Sequence, residues 1–383
     1  MKFEAILNYI SDDELSALST QTKVNHQVKK LNGSIVFKLI LYSMLEYGKP
    51  SLRVLEECFN SAEFILLANQ SKIKAKYNSL SDRISSINVD YFEKIFELLF
   101  DKFNAELKEQ NAIQKYDTTM VAVSSKLVQW GMKIGSKTDK KQVKFTMRLH
   151  GSLPCDFKIY TGQKYLCEDL TIPEVIYNYR YNKSSIVTFD RGVQSRNTFA
   201  TLNKENILFV TRIKTSATYK ILKSNRIVSV KNTPSVLLTE DLEVNFIEHS
   251  TKKPILVPFR FIRGYVKSSN EEICFVTNNF DLDAYEIADL YRKRWEIEVF
   301  FKFIKQELNF SHLLNRNLNG IKVMVYMTLI LAMLIIVYKK KNNLSGYKIV
   351  KMKISNELQK SLLKEIVILS GGDPNKIVHI IDD

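Results

Sequence analysis

SIVTFDRGVQSRNTFATLNKENILFVTRI, Ser185 to Ile213, reads as strand, helix, strand. Ser185–Asp190 and Ile207–Ile213 are short runs dominated by β-branched and large apolar residues, the pattern of buried strands. A helical stretch near Ser195–Leu202 lies between them. Three more candidate strands precede the unit, at Thr119–Ser124, Val143–His150 and Phe157–Tyr160. Strands in a run followed by a strand–helix–strand unit predict an α/β fold with mixed pairing in its sheet. Asp190 falls at the carboxyl end of a buried-type strand, where α/β sheets present functional groups.

Outward from this core the pattern changes twice. Residues 215–277 are β-rich with no helical period: RIVSV, SVLLT, LEVNFI, ILVPFRFI and EICFVT. Residues 1 to about 110 read as helices. Ser11-Asp12-Asp13-Glu14 is a capping box, IVFKLILYSMLEY from Ile35 is a strongly apolar helix, and Ser51 caps LRVLEECF. A long amphipathic helix runs from Asn88 to Glu106. Helices return after Asp283. The expected division is a helical bundle (1–110), a first part of the core (111–214), a β-rich insertion (215–280), a helical second part of the core (281–345) and a tail (346–383).

The 383 residues include 56 Lys plus Arg against 41 Asp plus Glu, a formal net charge of +15. That excess points to a polyanionic partner, nucleic acid or an acidic membrane surface. Hydrophobic residues at 45% supply enough apolar material for sizeable cores. Cys58, Cys155, Cys167 and Cys274 form no C-x-x-C pair, against both a disulfide framework and structural zinc. The N-terminal segment turns acidic where a signal peptide stays apolar, so a cytoplasmic location is expected. Ile321–Tyr338 is long and apolar enough for a membrane span, but with Lys322 inside it and no second such segment it reads better as a buried core helix. No phosphate-binding glycine loop and no H-x-x-x-H pair occurs, which removes ATP, dinucleotide and zinc hydrolysis readings.

YRKRWEIEVFFKFIKQ, Tyr291 to Gln306, carries the chemistry. Read as one helix, it sets Tyr291, Arg294, Glu298 and Lys305 within about 60° of one another and turns Glu296 about 140° away. One carboxylate, two cations and a phenol thus share a stripe. Asp190 and Asp117, the latter in QKYDTTMVAVSS, add two further hard oxygen donors from separate segments, a set suited to Mg²⁺. Lys137, Lys140, Lys141, Lys144 and Arg148 form a basic run beside the first strands, a candidate track for a phosphate backbone.

Tyr291-x2-Arg294-x3-Glu298-x6-Lys305, with Asp190-Arg191-Gly192 and Asp117-Thr118-Thr119 preceding it in order, resembles the signature of the insertion-sequence 4 family of DDE transposases. The resemblance covers residues 112–340. It implies a ribonuclease H-like core with a β-strand insertion between the second aspartate and the glutamate. Asp117, Asp190 and Glu298 would be the catalytic, metal-binding carboxylates, holding Mg²⁺ (with Mn²⁺ as substitute), two ions per site. Tyr291, Arg294, Lys305 and Arg191 would contact DNA. The activity implied is binding of an element's terminal inverted repeats, cleavage there, and joining of the ends to target DNA by a homodimer. A catalytically inactive DNA-binding derivative and a nuclease without strand transfer are the alternatives. Some members hold a flipped base against a tryptophan in the insertion. This chain has only Trp130 and Trp295, so Tyr219, Phe246, Phe259, Phe261 or Tyr265 would have to supply the stacking face.

Overall fold

The computed structural model describes residues 9–68, 74–108, 113–124, 131–134, 137–179, 185–227, 235–248, 252–311, 314–315 and 317–377. They divide into a helical unit, within Met1–Lys108 and Lys302–Asp383, and a sheet unit, within Glu109–Ser125 and Gln129–Phe301.

In the helical unit, local polar residues start most helices. α1 (Asp12–Thr22) opens with the Ser11/Glu14 capping box, α2 (Gly33–Glu46) is capped by Asn32 and α3 (Leu52–Asn60) by Ser51. Each side chain accepts an N–H that the first turn leaves without a partner. α4 (Ala62–Leu67), α5 (Tyr77–Ser86) and α6 (Asp90–Leu107) follow. The unit's last long helices are α11 (Leu318–Lys341) and α12 (Tyr347–Leu369). α11 is apolar enough to cross a membrane, yet 94% of its most apolar 18-residue window is buried within the fold. It packs against α2, α5, α6 and α12 and forms the core of the unit, as its sequence predicts.

In the sheet unit, β1 (Gln114–Ser124) pairs antiparallel with β3 (Lys137–His150), and Asp117 faces Met147 across the ladder. β2 (Met132–Ile134) and β4 (Leu153–Tyr160) share the far edge of β3. On its other side β1 runs parallel to β5 (Ile186–Phe189), which runs parallel to β6 (Leu208–Arg212). α7 (Glu168–Tyr177) connects β4 to β5, and α8 (Arg196–Lys204) connects β5 to β6. Three antiparallel strands followed by two parallel crossovers, in the order β4-β3-β1-β5-β6, make the expected ribonuclease H-like core.

The β-rich stretch does not build a separate sheet. β7 (Tyr219–Ser224), β8 (Val236–Phe246), β9 (Phe259–Val266) and β10 (Glu272–Thr277) form an antiparallel meander whose last strand joins β6. SVLLT and LEVNFI are one bulged strand rather than two. The expected RIVSV strand is not seen at Arg226 and Ile227, and its remainder lies outside the described residues. Phe246, Phe259 and Phe261 are buried with Phe189, Phe199 and Phe209 in one core cluster, so they are not free stacking faces. The second face of the sheet packs on α9 (Ala284–Lys293) through Ala284 and Ile287.

Within the meander, Arg260 holds Asp241 through two hydrogen bonds, Nε to Oδ1 at 2.9 Å and Nη2 to Oδ2 at 2.7 Å, both side chains buried. A buried pair is costly to assemble but more costly to break, because the survivor keeps its charge without a partner. Asp241→Ala is expected to destabilise the fold by about 3–5 kcal/mol, and the Asp241→Leu/Arg260→Met pair by clearly less. Urea unfolding of both variants measures the difference.

Candidate active site

The alternation of β1 decides where its first charged residues go. Tyr116 is fully buried in the cluster beneath α7 and α8, so Lys115 and Asp117 belong to the opposite face. Asp117 is only 9% exposed. Its Oδ1 accepts the backbone N–H of Thr118 at 2.7 Å and its Oδ2 accepts Arg294 Nη1 at 3.1 Å. Burial pushes the carboxyl of Asp117 up to about 7; Arg294 and the Thr118 N–H pull it down, and the charges of Asp190 and Glu168 push it further up.

Arg294 is where the structure departs from the single helix the sequence suggests. α9 ends at Lys293 and α10 (Trp295–Gln306) begins at Trp295. Between them, Arg294 N–H donates to Tyr291 and Ile297 N–H to Arg294, bonds three residues long that tighten the chain. A uniform 100° stepping therefore fails across Arg294. Three of the four stripe residues nevertheless meet. The Arg294 guanidinium bonds Glu298 through Nη2 and Asp117 through Nη1, and its Cζ lies 5.4 Å from the centre of the Tyr291 ring. Burial works against the guanidinium's charge, but Tyr291, Glu298 and Asp117 outweigh it and hold Arg294 firmly cationic. Its Nε is buried without a partner. Burial likewise raises the Tyr291 phenol, with Arg294 opposing. Glu296 points elsewhere, as the helical wheel requires: it accepts Lys115 Nζ at 2.8 Å, and the same ammonium donates to Gly151 O at 2.6 Å. This pair ties the first turn of α10 to β1, two residues from Asp117. Lys305 lies on the part of α10 that belongs to the helical unit and is half-buried.

Asp190 follows the last residue of β5, as expected. Thr211 Oγ1 on β6 donates to the carbonyls of Phe189 and Asp190, at 2.8 and 3.1 Å, which fixes the strand's end. Asp190 Oδ1 accepts the N–H of Gly192 at 2.6 Å. Arg191 is exposed. A further carboxylate, which the sequence does not single out, lies beside Asp190. Glu168, the first residue of α7, accepts Thr118 Oγ1 at 2.8 Å and lies so near Gly192 that a Cβ there would meet its Oε2 at 1.6 Å and Asp190 Oδ1 at 2.8 Å. Burial and then Asp190's charge raise the Glu168 carboxyl. The neighbouring Asp169 accepts the N–H groups of Gln194 and Ser195, which pins the loop after Asp190 to α7. Two acids opening a helix was the available signal.

The donor set suits a divalent ion: every candidate is a carboxylate, the hard oxygen ligand Mg²⁺ takes. Among the described residues no three acidic, histidine or cysteine side chains form a ready-made cage. The Arg294 guanidinium is bonded to both Asp117 and Glu298. Beside it, a cavity of about 470 Å³ is lined by Arg212, Phe275, Tyr291, Arg292, Arg294 and the exposed Trp295, among others. The expected basic track is corrected in part. Lys144 and Arg148 are 2% and 5% exposed, the first donating to Leu166 O and the second stacked 3.6 Å from the Tyr179 ring centre. The side chains of Lys137 and Lys140 lie outside the described residues, as does Trp130.

With this geometry in view, the comparisons with known proteins are informative. The family described as "Transposase DDE domain" matches residues 114–334. A probable transposase for insertion sequence element IS5377 of Geobacillus stearothermophilus is 27% identical over 254 residues, 64% of this chain and 62% of the relative. A putative transposase y4zB of Sinorhizobium fredii is 26% identical over 41% of this chain and 43% of its own length. A putative transposase for insertion sequence element IS4SA of Synechocystis is 24% identical over 71% and 78%. The chain thus spans less than two thirds of the first two relatives. Among solved structures, the piggyBac transposase synaptic complex with hairpin DNA aligns over 94% of this chain and 80% of that one, with 11% identity and a TM-score of 0.48. More than half of the chain, from the first strand of the sheet into α11, matches one family: the protein belongs to the transposase DDE domain family, in keeping with its resemblance to the insertion-sequence 4 transposases.

Proposed function

We propose that this chain is a DNA transposase that cleaves phosphodiester bonds at the ends of its insertion sequence and joins the freed 3′ ends to target DNA. The observation that carries the reading is the convergence of Asp117, Arg294 and Glu298, with Asp190 at the adjacent strand end, from segments 177 residues apart in sequence. Nothing about folding requires a buried carboxylate and a buried guanidinium to be brought together with a second, half-buried carboxylate at a sheet surface, given what burying charge costs.

Asp117, Asp190 and Glu298 are the metal-binding carboxylates in this proposal, and Mg²⁺, two ions per site, the cofactor. When bound there, it would supply Lewis-acid activation of the attacking oxygen and neutralise charge on the transferring phosphate. The chain's own residues do the rest. Tyr291 and Arg294 present a phenol and a fixed cation to a phosphate at the reacting end. Arg191, exposed beside Asp190, and Lys305 on α10 add phosphate contacts. The cavity beside Arg294 has the aromatic and cationic lining on which a terminal nucleotide stacks. Water attacks in the cleavage step and the 3′-hydroxyl in the joining step, both in-line displacements at phosphorus, so one set of carboxylates serves both. The helices of residues 1–110 bind the terminal inverted repeats, a homodimer holds two ends together, and the cytoplasm is the place of action.

Glu298→Ala is expected to abolish Mg²⁺- or Mn²⁺-dependent cleavage of DNA carrying the element's ends while leaving DNA binding intact. Gel assays of both on wild type and variant decide it, and equal cleavage by both proteins excludes Glu298 from the site. Strand transfer into supercoiled target separates a transposase from a simple nuclease. A pH test follows from the raised Asp117 carboxyl. Its folded value, about 7, lies above the roughly 3.9 of an unfolded aspartate. Asp117 therefore burdens the fold progressively as pH rises from about 4 to 7 and by a constant amount above that. In EDTA, Asp117→Asn is expected to be more stable than wild type above pH 7, by about 1–4 kcal/mol, with the gap closing towards pH 4. Thermal melts across that range measure it.

A further inference from the structure

We propose that Glu168 is a fourth carboxylate of the reaction centre, acting directly on the divalent ion beside Asp190, and that Gly192 is glycine in order to admit it. This rests on the reading of Asp117, Asp190 and Glu298 given above and extends it to a residue outside the three-acid signature.

The placement is built rather than incidental. Glu168 starts α7, the crossover helix between β4 and β5, and so stands at the same end of the sheet as Asp190. Thr118, immediately after Asp117 on β1, holds one carboxylate oxygen at 2.8 Å from the opposite face of the strand to Asp117. The other oxygen lies over Gly192, where a Cβ would meet it at 1.6 Å and force the carboxylate to shift. Asp169 meanwhile accepts two backbone N–H groups from the loop, which fixes the distance between α7 and Asp190. Lys144, buried near Glu168 and Asp190, donates to Leu166 O at 2.7 Å, and its charge opposes the rise of the Glu168 carboxyl.

A purely structural role does not explain this. The Glu168 and Asp190 carboxyls are hydrogen-bonded to each other, which takes a shared proton; with both ionised they repel, and a glutamine at 168 would keep the Thr118 bond and a donor to Asp190 without that repulsion. An arrangement that keeps both acids, and excludes a side chain at 192 so that they can meet, is suited to a shared cation. Gly192 is exposed, and its φ is not in the left-handed region, so backbone strain does not explain the glycine either.

The test uses the full chain with Mn²⁺ as probe, its affinity read by electron paramagnetic resonance or calorimetry. Glu168→Gln is expected to bind Mn²⁺ at least about 10- to 100-fold more weakly, the loss seen even for outer-shell changes at metal sites. Cleavage at the element ends should fall with it, while the variant melts no lower than wild type. Gly192→Ala should weaken Mn²⁺ by displacing the carboxylate, and Glu168→Asp should recover part of the affinity. Glu298→Gln is the control for the underlying reading. If Glu298→Gln weakens Mn²⁺ and Glu168→Gln binds and cleaves as wild type does, Glu168 is excluded and the three-acid centre stands. If neither variant weakens Mn²⁺, the three-acid reading fails and takes this inference with it. A Glu168→Gln protein that melts markedly lower with unchanged Mn²⁺ affinity would make Glu168 a structural residue and overturn the proposal.

Discussion

The Arg294 guanidinium, buried and bonded to Asp117 and Glu298, is the interaction around which the sheet unit is organised. It joins an inner strand to a helix entered more than 170 residues later, and it does so with charges that water would otherwise solvate. Such a cluster forms only if Asp117 and Arg294 are delivered with little freedom, since misplacing either leaves the other desolvated and unpaired. Three features of the fold supply that delivery. The β1 alternation sets Asp117 opposite Tyr116; the tightened turn at Arg294 lets the chain present Tyr291, Arg294 and Glu298 together; the Lys115–Glu296 pair holds the start of α10 to the same strand. Lys115 and Glu296 are neighbours of Asp117 and Glu298 in sequence, so one neutralised pair positions the other.

The second half of the centre is held by the opposite face of the strand. Thr118 turns away from Asp117 and reaches Glu168, while Thr211 ties the end of β5 to β6. The parallel strands end where the crossover loops turn, so Asp190 and the first turn of α7 meet at the sheet's carboxyl edge. The two pairs of acids are held by separate devices, a guanidinium for Asp117 and Glu298 and a hydroxyl and backbone N–H groups for Glu168 and Asp190. Asp117, raised first by burial, also feels the charges of Asp190 and Glu168, so the two pairs are close enough to influence one another.

Periodicity and turn chemistry made the frame of the fold legible in the sequence. β5, α8 and β6 are local patterns, apolar runs of strand length about a helix, and each formed within two residues or so of its expected bounds. What the sequence hid depended on partners distant along the chain. α7 was missed because Pro173 lies inside it and reads as a breaker. β7 was missed because most of its residues are exposed and no alternation marks it. Glu168 was missed for the same reason as α7: an acid in an apparent loop has no face until the helix that begins there is packed. The stripe of Tyr291, Arg294 and Glu298 was found by a wheel that does not hold across Arg294. The contacts survive because side-chain reach, not angular spacing, brings a long guanidinium to both carboxylates.

The composition also changes meaning once burial is known. Among the described residues, five of the chain's cations, Lys115, Lys144, Arg148, Arg260 and Arg294, are buried and engaged by carboxylates, carbonyls, an amide or an aromatic ring. They answer internal needs and say nothing about a partner. Against these five stand the buried carboxylates Asp117 and Asp241, so the buried charged groups among the described residues account for only a small part of the excess of 15 positive charges. The molecule thus carries a basic exterior around a centre rich in carboxylates. A polyanion attracted by the first is repelled by the second, and the conflict is resolved only by cations at the centre. Arg294 supplies one, already bonded to two acids; Lys144 lies near Asp190 and Glu168, which are hydrogen-bonded to each other. Burial and the neighbouring Asp190 both disfavour the charge on Glu168, so a positive charge at the strand end after β5 would relieve the cost of keeping both acids ionised.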